Sequence, residues 1–167
     1  MTFFLYIQDD NSPAAQYQGY LNLYNNQFTG TIPSGLRLRN LTYFDLSHNK
    51  LSGPIPLDFA ITSVQLDHLY LNHNEFTGTV PSEYSTIGNG HIISLTLNNN
   101  QFTGDPPTQF GTENYSLLTY EIQNNGFTGT ISDAFCYLFV FLDGELVELG
   151  ADCDICTCNL GPCDVCY

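Results

Sequence analysis

Residues 66–81 read LDHLYLNHNEFTGTVP. Leucine recurs at 66, 69 and 71, an asparagine follows at 74, and Phe76, Thr77-Gly78 and Val80-Pro81 close the run. The same order returns as NNQFTGTIP at 25–33, HNKLSGPIP at 48–56, NNQFTGDPP at 99–107 and NNGFTGTIS at 124–132. The repeated asparagines Asn26, Asn49, Asn74, Asn100 and Asn125 stand 23, 25, 26 and 25 residues apart. Ahead of them runs one apolar spacing: Leu21-x-Leu23, Leu41-x-x-Phe44-x-Leu46, Leu66-x-x-Leu69-x-Leu71, Ile92-x-x-Leu95-x-Leu97 and Leu117-x-x-Tyr120-x-Ile122. Self-similarity at this period marks a stacked-coil architecture.

The physics of the pattern predicts its geometry. Alternation in Leu-x-Leu turns every second side chain inward on a short strand, and stacked coils pair those strands about 4.8 Å apart in a parallel sheet. One coil cannot bury its own apolar face, so its neighbours supply the core. The asparagine after each strand can donate to and accept from backbone groups of its own and adjacent coils. Phe28, Leu51, Phe76, Phe102 and Phe127 form a second inward column, and Leu36, Phe59, Tyr84, Phe110 and Phe135 a third. The Thr/Ser-Gly pairs mark a bend that glycine permits cheaply, and the Pro after it fixes φ and removes a donor.

These motifs resemble the leucine-rich repeat family, LxxLxLxxN, and its plant-type subclass with the LxGxIP extension, over residues 18–135. The resemblance implies an α/β-type solenoid. It would be a five-coil, right-handed superhelix with a short parallel sheet, an irregular 3-10 convex side and a disulfide-closed carboxy-terminal cap. Residues 1–17 then form an amino-terminal edge segment, 18–135 five repeats and 136–167 a Cys-rich cap. No Cys precedes residue 136, so the family's usual cysteine-bearing amino-terminal cap is expected to be absent or replaced in this chain. Residues 1–17 would instead lay a strand on the first coil's edge, through Phe4, Tyr6 and Tyr17.

Leu146-x-x-Leu149-x-Ala151 reads as a degraded sixth strand running into Cys153, Cys156, Cys158, Cys163 and Cys166. With Cys136 these resemble the cysteine-closed caps of exported family members, which implies three disulfides among 15 possible pairings. The rival is zinc on the two CxxC pairs, but only six residues separate them and Cys158 intrudes. Two glycosylation sequons, at Asn40 and Asn114, accord with export. Residues 3–7 are apolar but too short for a signal-peptide core and follow no basic residue, so the chain reads as mature or partial. The expected location is extracellular or an organelle lumen.

With 167 residues the chain suits one domain, and 3 Lys+Arg against 17 Asp+Glu give a formal charge of −14. That sign repels nucleic-acid phosphates and anionic lipid headgroups. No apolar run is long enough to span a bilayer as a helix. The three bases are Arg37, Arg39 and Lys50, so every charged residue beyond 50, histidine aside, is an acid.

Outward columns of the sheet are Tyr20, Tyr43, His68, Ser94 and Thr119; Asn22, Asp45, Tyr70, Thr96 and Glu121; and Tyr24, Ser47, Asn72, Asn98 and Gln123. Tyrosines clustered toward the amino-terminal coils point to recognition, because Tyr offers large contact area with few rotamers. Catalysis finds little support. Asp45 and Glu121 are three coils apart, about 14 Å, which is too far for a glycosidase pair. Asp45, Ser47 and His48 lie along one strand, with same-side residues about 6.6 Å apart, too far for a relay without a bend. His48 and His73 can approach to about 5 Å, but their column (Asn25, Asn99, Asn124) offers no third metal ligand. The tail acids Asp143, Glu145, Glu148, Asp152 and Asp154 lack calcium-loop spacing. No cofactor or metal is expected.

The expected function is a non-catalytic module that engages a protein, peptide or glycan through the sheet face. The contact set is Tyr20, Asn22, Tyr24, Tyr43, Asp45, Ser47, His68, Tyr70, Asn72, Thr96, Asn98, Glu121 and Gln123. Five strands present only about 300 Å² of flat sheet, against about 800 Å² per partner in a standard interface. One alternative is therefore an acidic accessory subunit on the lumenal or external side of a membrane complex, a photosynthetic one included. Another is ice binding, since some plant-type repeat proteins resemble antifreeze proteins. Its candidates are the Asn25, His48, His73, Asn99, Asn124 row and the Thr29, Thr77, Thr103, Thr128 row, interrupted by Ser52, Pro54 and Asp105.

Overall fold

The computed structural model describes residues 19–36, 39–107, 116–131 and 148–151, the strand 148–150 by its backbone alone. The 1–17 segment, Phe110, Phe135, the Asn114 sequon, the tail acids other than Glu148 and all six cysteines, with the disulfide and zinc readings, lie outside the described residues.

The chain winds through repeated coils, each contributing a strand to two sheets. The first coil supplies β1 (Gly19–Asn22) and β2 (Thr29–Gly30), the second β3 (Leu41–Asp45) and β4 (Lys50–Gly53). A short helix α1 (Leu57–Thr62) follows, with Pro56 extended at its entry and Asp58 in its first turn. The third coil supplies β5 (His68–Tyr70) and β6 (Glu75–Gly78), then a 3-10 segment Ser82–Gly90 broken at Ile87–Asn89. Next come β7 (Ser94–Thr96) and β8 (Gln101–Gly104), β9 (Thr119–Glu121) and β10 (Gly126–Phe127), and last β11 (Glu148–Gly150).

The first sheet is parallel, in the order β1-β3-β5-β7-β9-β11. Its register pairs Leu21 with Phe44, Phe44 with Leu69, Leu69 with Leu95, and Leu95 with Tyr120. The inward file is thus continuous, and Phe44, Leu69, Leu95 and Tyr120 are fully buried. The expected sixth strand is present as β11, paired with β9. The second parallel sheet, β2-β4-β6-β8-β10, was not anticipated, because the sequence shows only a bend there. It forms where Phe28, Leu51, Phe76, Phe102 and Phe127 stack: Phe76–Phe102 and Phe102–Phe127 centroids lie 6.1 and 6.2 Å apart. Gly30, Gly53, Gly78 and Gly104 end these strands at positive φ, from 75° to 97°. A side chain there would be strained.

Two phenols buried inside the coil find carbonyl acceptors. The Tyr84 hydroxyl donates to the Pro56 carbonyl at 3.1 Å and that of Tyr120 to the Pro107 carbonyl at 2.7 Å. Burial raises the pKa of both phenols, which stay protonated donors.

The asparagine file binds coil to coil. The Asn74 amide donates to the Leu46, Leu71 and Asn72 carbonyls at 3.0, 3.2 and 3.3 Å and accepts from Leu51 N–H at 3.0 Å. Asn49, Asn100 and Asn125 repeat this pattern one coil away each time, accepting from Phe28, Phe76 and Phe102 N–H respectively. Asn26 differs: among the described residues its amide reaches only the Leu23 and Tyr24 carbonyls, and it is exposed.

Candidate binding face

The outward columns assemble in register. Tyr20 pairs with Tyr43 and Tyr43 with His68, while Asp45 stands between Asn22 and Tyr70 on neighbouring strands. Strand spacing brings the rings together. Tyr20 stacks on Tyr43 at 4.2 Å and 13°, and Tyr43 lies 5.4 Å from Tyr70 and 5.9 Å from His68. Tyr20 and Tyr24 are 65% and 50% exposed, the most exposed of the chain's large aromatic side chains among the described residues. Burial, the neighbouring Tyr20 hydroxyl and the charge of Asp45 raise the Tyr43 pKa, so Tyr43 remains a neutral donor.

Not every outward position is open to water. Asp45, Ser47, Thr96, Asn98 and Gln123, all in the contact set expected from the sequence, are buried at 4–7% exposure. Three of them bond a neighbour on the same face. Thr96 Oγ1 donates to Asn72 Oδ1 at 2.8 Å. Asp45 Oδ1 accepts from Ser47 N–H at 2.9 Å and from Ser47 Oγ at 2.6 Å, and Tyr43 Oη donates to Asp45 Oδ2 at 3.2 Å. The extended-strand estimate that Asp45 and Ser47 stand too far apart is therefore corrected, because β3 ends at Asp45 and the chain bends. No relay results: the Ser47 hydroxyl donates its hydrogen bond to the carboxylate, and the His48 ring packs on His73 and Tyr24. Asn98 Oδ1, Gln123 Oε1 and His68 Nδ1 are buried with no hydrogen-bond partner among the described residues.

Sequence reasoning missed the backbone of the rim. Asn25, His48, His73, Asn99 and Asn124 all adopt left-handed φ, between 53° and 57°. The chain turns there from the first sheet into the second, and Asn and His are among the few non-glycine residues that tolerate this conformation. The recurring Asn/His before each file asparagine was the available signal. Along this row Asn124 Nδ2 donates to Asn99 Oδ1 at 3.2 Å, Asn99 Nδ2 lies 3.3 Å from His73 Nε2, and His73 stacks on His48 at 4.1 Å.

Burial and the adjacent His48 lower the His73 pKa. The unfolded chain therefore binds more protons near and below the ordinary imidazole value of about 6.5. Stability is complete above that value and declines as pH falls through the depressed folded pKa. His73→Asn installs the residue of the equivalent Asn25, Asn99 and Asn124 positions. It should leave neutral-pH stability nearly unchanged and shrink the loss between about pH 7.5 and about pH 5, read from urea midpoints. An equal acid loss in both proteins contradicts this account.

Among the described residues no cluster of His, Cys, Asp or Glu could hold a metal ion, and no helix is long and apolar enough to cross a membrane. A coil that borrows its interior from its neighbours and ties its turns through an asparagine file defines a solenoid repeat protein. The family model described as Leucine Rich Repeat matches residues 20–38, 40–60, 65–87 and 91–112, just over half of the chain. The chain belongs to the leucine-rich repeat family, and the solved structures it resembles are of the plant type. A TDR receptor is 31% identical, covering 80% of this chain and 22% of the receptor, with a TM-score of 0.69. The Arabidopsis receptor kinase HAESA, solved with the peptide hormone IDA and the co-receptor SERK1, is 27% identical. It covers 80% of this chain and 22% of its own, with a TM-score of 0.67. The BIR3–SERK2 complex from Arabidopsis thaliana gives 28% identity, 87% and 73% coverage, and a TM-score of 0.66. The chain thus spans about a fifth of the first two proteins. Comparison with curated protein sequences yields no match.

Proposed function

We propose that this chain is a non-catalytic, extracytoplasmic binding module that holds a peptide, or an extended segment of a protein, across the outer face of its six-stranded sheet. The observation that carries the reading is the Tyr20, Tyr43, Tyr70 and His68 cluster, with Tyr20 exposed. Asn22, Tyr24, Asn72 and Glu121 flank it as further contacts, and the buried Asp45, Ser47, Thr96, Asn98 and Gln123 form its floor. Two relatives support the occupant: HAESA was solved with a peptide hormone, and PEPR1 with AtPEP1.

Size favours a peptide. Six strands span about 24 Å, which matches roughly seven residues of extended chain, whereas a folded partner needs about 800 Å². The external location draws support from relatives solved as ectodomains and from the exposed Asn40 sequon at the turn before β3. Capture of partners from the native source tests the proposal. The Tyr20→Ala/Tyr43→Ala/Tyr70→Ala variant, with circular dichroism confirming its fold, should bind its partner at least about tenfold more weakly, since buried tyrosines dominate such interfaces. Unchanged recovery would place the contact elsewhere.

A further inference from the structure

Asp45 is 6% exposed, yet among the described residues no cation pairs with it. Its three hydrogen bonds come from Ser47 N–H, Ser47 Oγ and Tyr43 Oη. These neutral donors hold the carboxylate in place without cancelling its charge. Removing a charge from water is costly unless something compensates it. Three phenol rings crowd the same place, and an aromatic ring is negative on its face. Carboxylate and rings therefore add, and together they favour a cation.

The chain does not supply one from its described residues. The outward columns carry no Lys or Arg, Lys50 lies in the second sheet, and Arg39 sits in the exposed turn before β3. The other charged member of the outward columns is Glu121, also an acid, and the whole chain carries −14. A peptide presenting a carboxylate here would meet the Asp45 charge with no cation among the described residues to offset it.

We infer that the bound peptide presents an arginine side chain to the Tyr20–Tyr43–Tyr70 cluster, above Asp45. This rests on the peptide-binding reading and narrows it to a basic ligand. Arginine suits the site better than lysine. Its guanidinium is planar, weakly hydrated and stacks on aromatic faces, whereas the ammonium keeps its water. A cation within about 6 Å of a tyrosine centroid is attracted by the ring. The Asp45 oxygens already accept three bonds, so the carboxylate acts by its field and by fixing the Tyr43 ring, and bidentate pairing is not required.

The test uses the full chain and short capped Gly/Ser peptides that carry one central Arg, citrulline, Lys or Glu, followed by NMR titration. The Arg peptide should shift resonances of β1, β3 and β5, Lys less, and citrulline and Glu little. Asp45→Asn should weaken the Arg peptide about tenfold, whereas Asp58→Asn, an equal charge change on α1, should alter it less than about twofold. Tyr20→Ala, at a largely exposed ring, serves should Asp45→Asn fold poorly, and it should weaken Arg binding several-fold. Equal binding of Arg and citrulline, equal effects of the two Asp variants, or no localised shift at millimolar Arg peptide each overturns the inference. If citrulline or Glu peptides occupy the face and lose affinity in the triple tyrosine variant, the basic ligand is wrong and the module stands. If partner capture ignores that triple variant, the module reading itself fails.

Discussion

Phe102→Ala should destabilise the chain by about 3–5 kcal/mol, the largest single-residue loss expected among the described positions. Its ring is fully buried between Phe76 and Phe127, at 6.1 and 6.2 Å, so truncation empties the middle of a column rather than an end. The cavity opens to neither side, and the asparagine file and both sheets hold the adjacent coils at fixed spacing, which limits collapse. For a chain of this size the melting temperature should drop by roughly 6–20 °C. Amide hydrogen exchange should quicken first in β6, β8 and β10, because each coil contacts only its neighbours. Phe28 provides the control: it begins the same column and is only half-buried, so Phe28→Ala should cost distinctly less. Equal losses at 28 and 102 would show that the column does not act as a stacked core.

Asn74→Ala follows, at about 1–3 kcal/mol, although little apolar volume is lost. It strands the Leu51 N–H and removes the donor shared by the Leu46, Leu71 and Asn72 carbonyls, at a site only 9% exposed. Asn74→Asp should be no better, because a carboxylate can accept from Leu51 but cannot donate to three carbonyls. Asn26→Ala should stay within about 0.5 kcal/mol, since water can reach the two carbonyls it leaves. Urea unfolding of the three variants separates the outcomes. A loss at Asn26 matching that at Asn74 would mean that the residue type matters through backbone preference and not through bonds between coils.

Much of the fold is legible because the repeat states one constraint five times over. The Leu21, Phe44, Leu69, Leu95, Tyr120 file and the outward columns can be written from spacing alone, and the strand pairing follows that register. The second sheet is harder to see. Two- to four-residue strands such as Thr29–Gly30 carry no alternation long enough to recognise, and they exist because stacked phenylalanines hold successive bends at strand spacing. The left-handed rim was also hidden. Spacing showed His48 and His73 only as a close pair of imidazoles, whereas their backbone demands a residue able to adopt positive φ.

The candidate site divides along the same line. Periodicity alone placed Tyr20, Tyr43, Tyr70 and Asp45 on one face of the sheet, since side chains alternate strictly along a strand. Only the tertiary structure decided that Asp45 is buried with the Tyr43 hydroxyl bonded to it, that Ser47 bends back to bond it, and that Tyr20 stands open to solvent. Direction is a property of a single strand and is written in its residues. Burial and charge compensation depend on which side chains of other coils lean across, and stacking sets that.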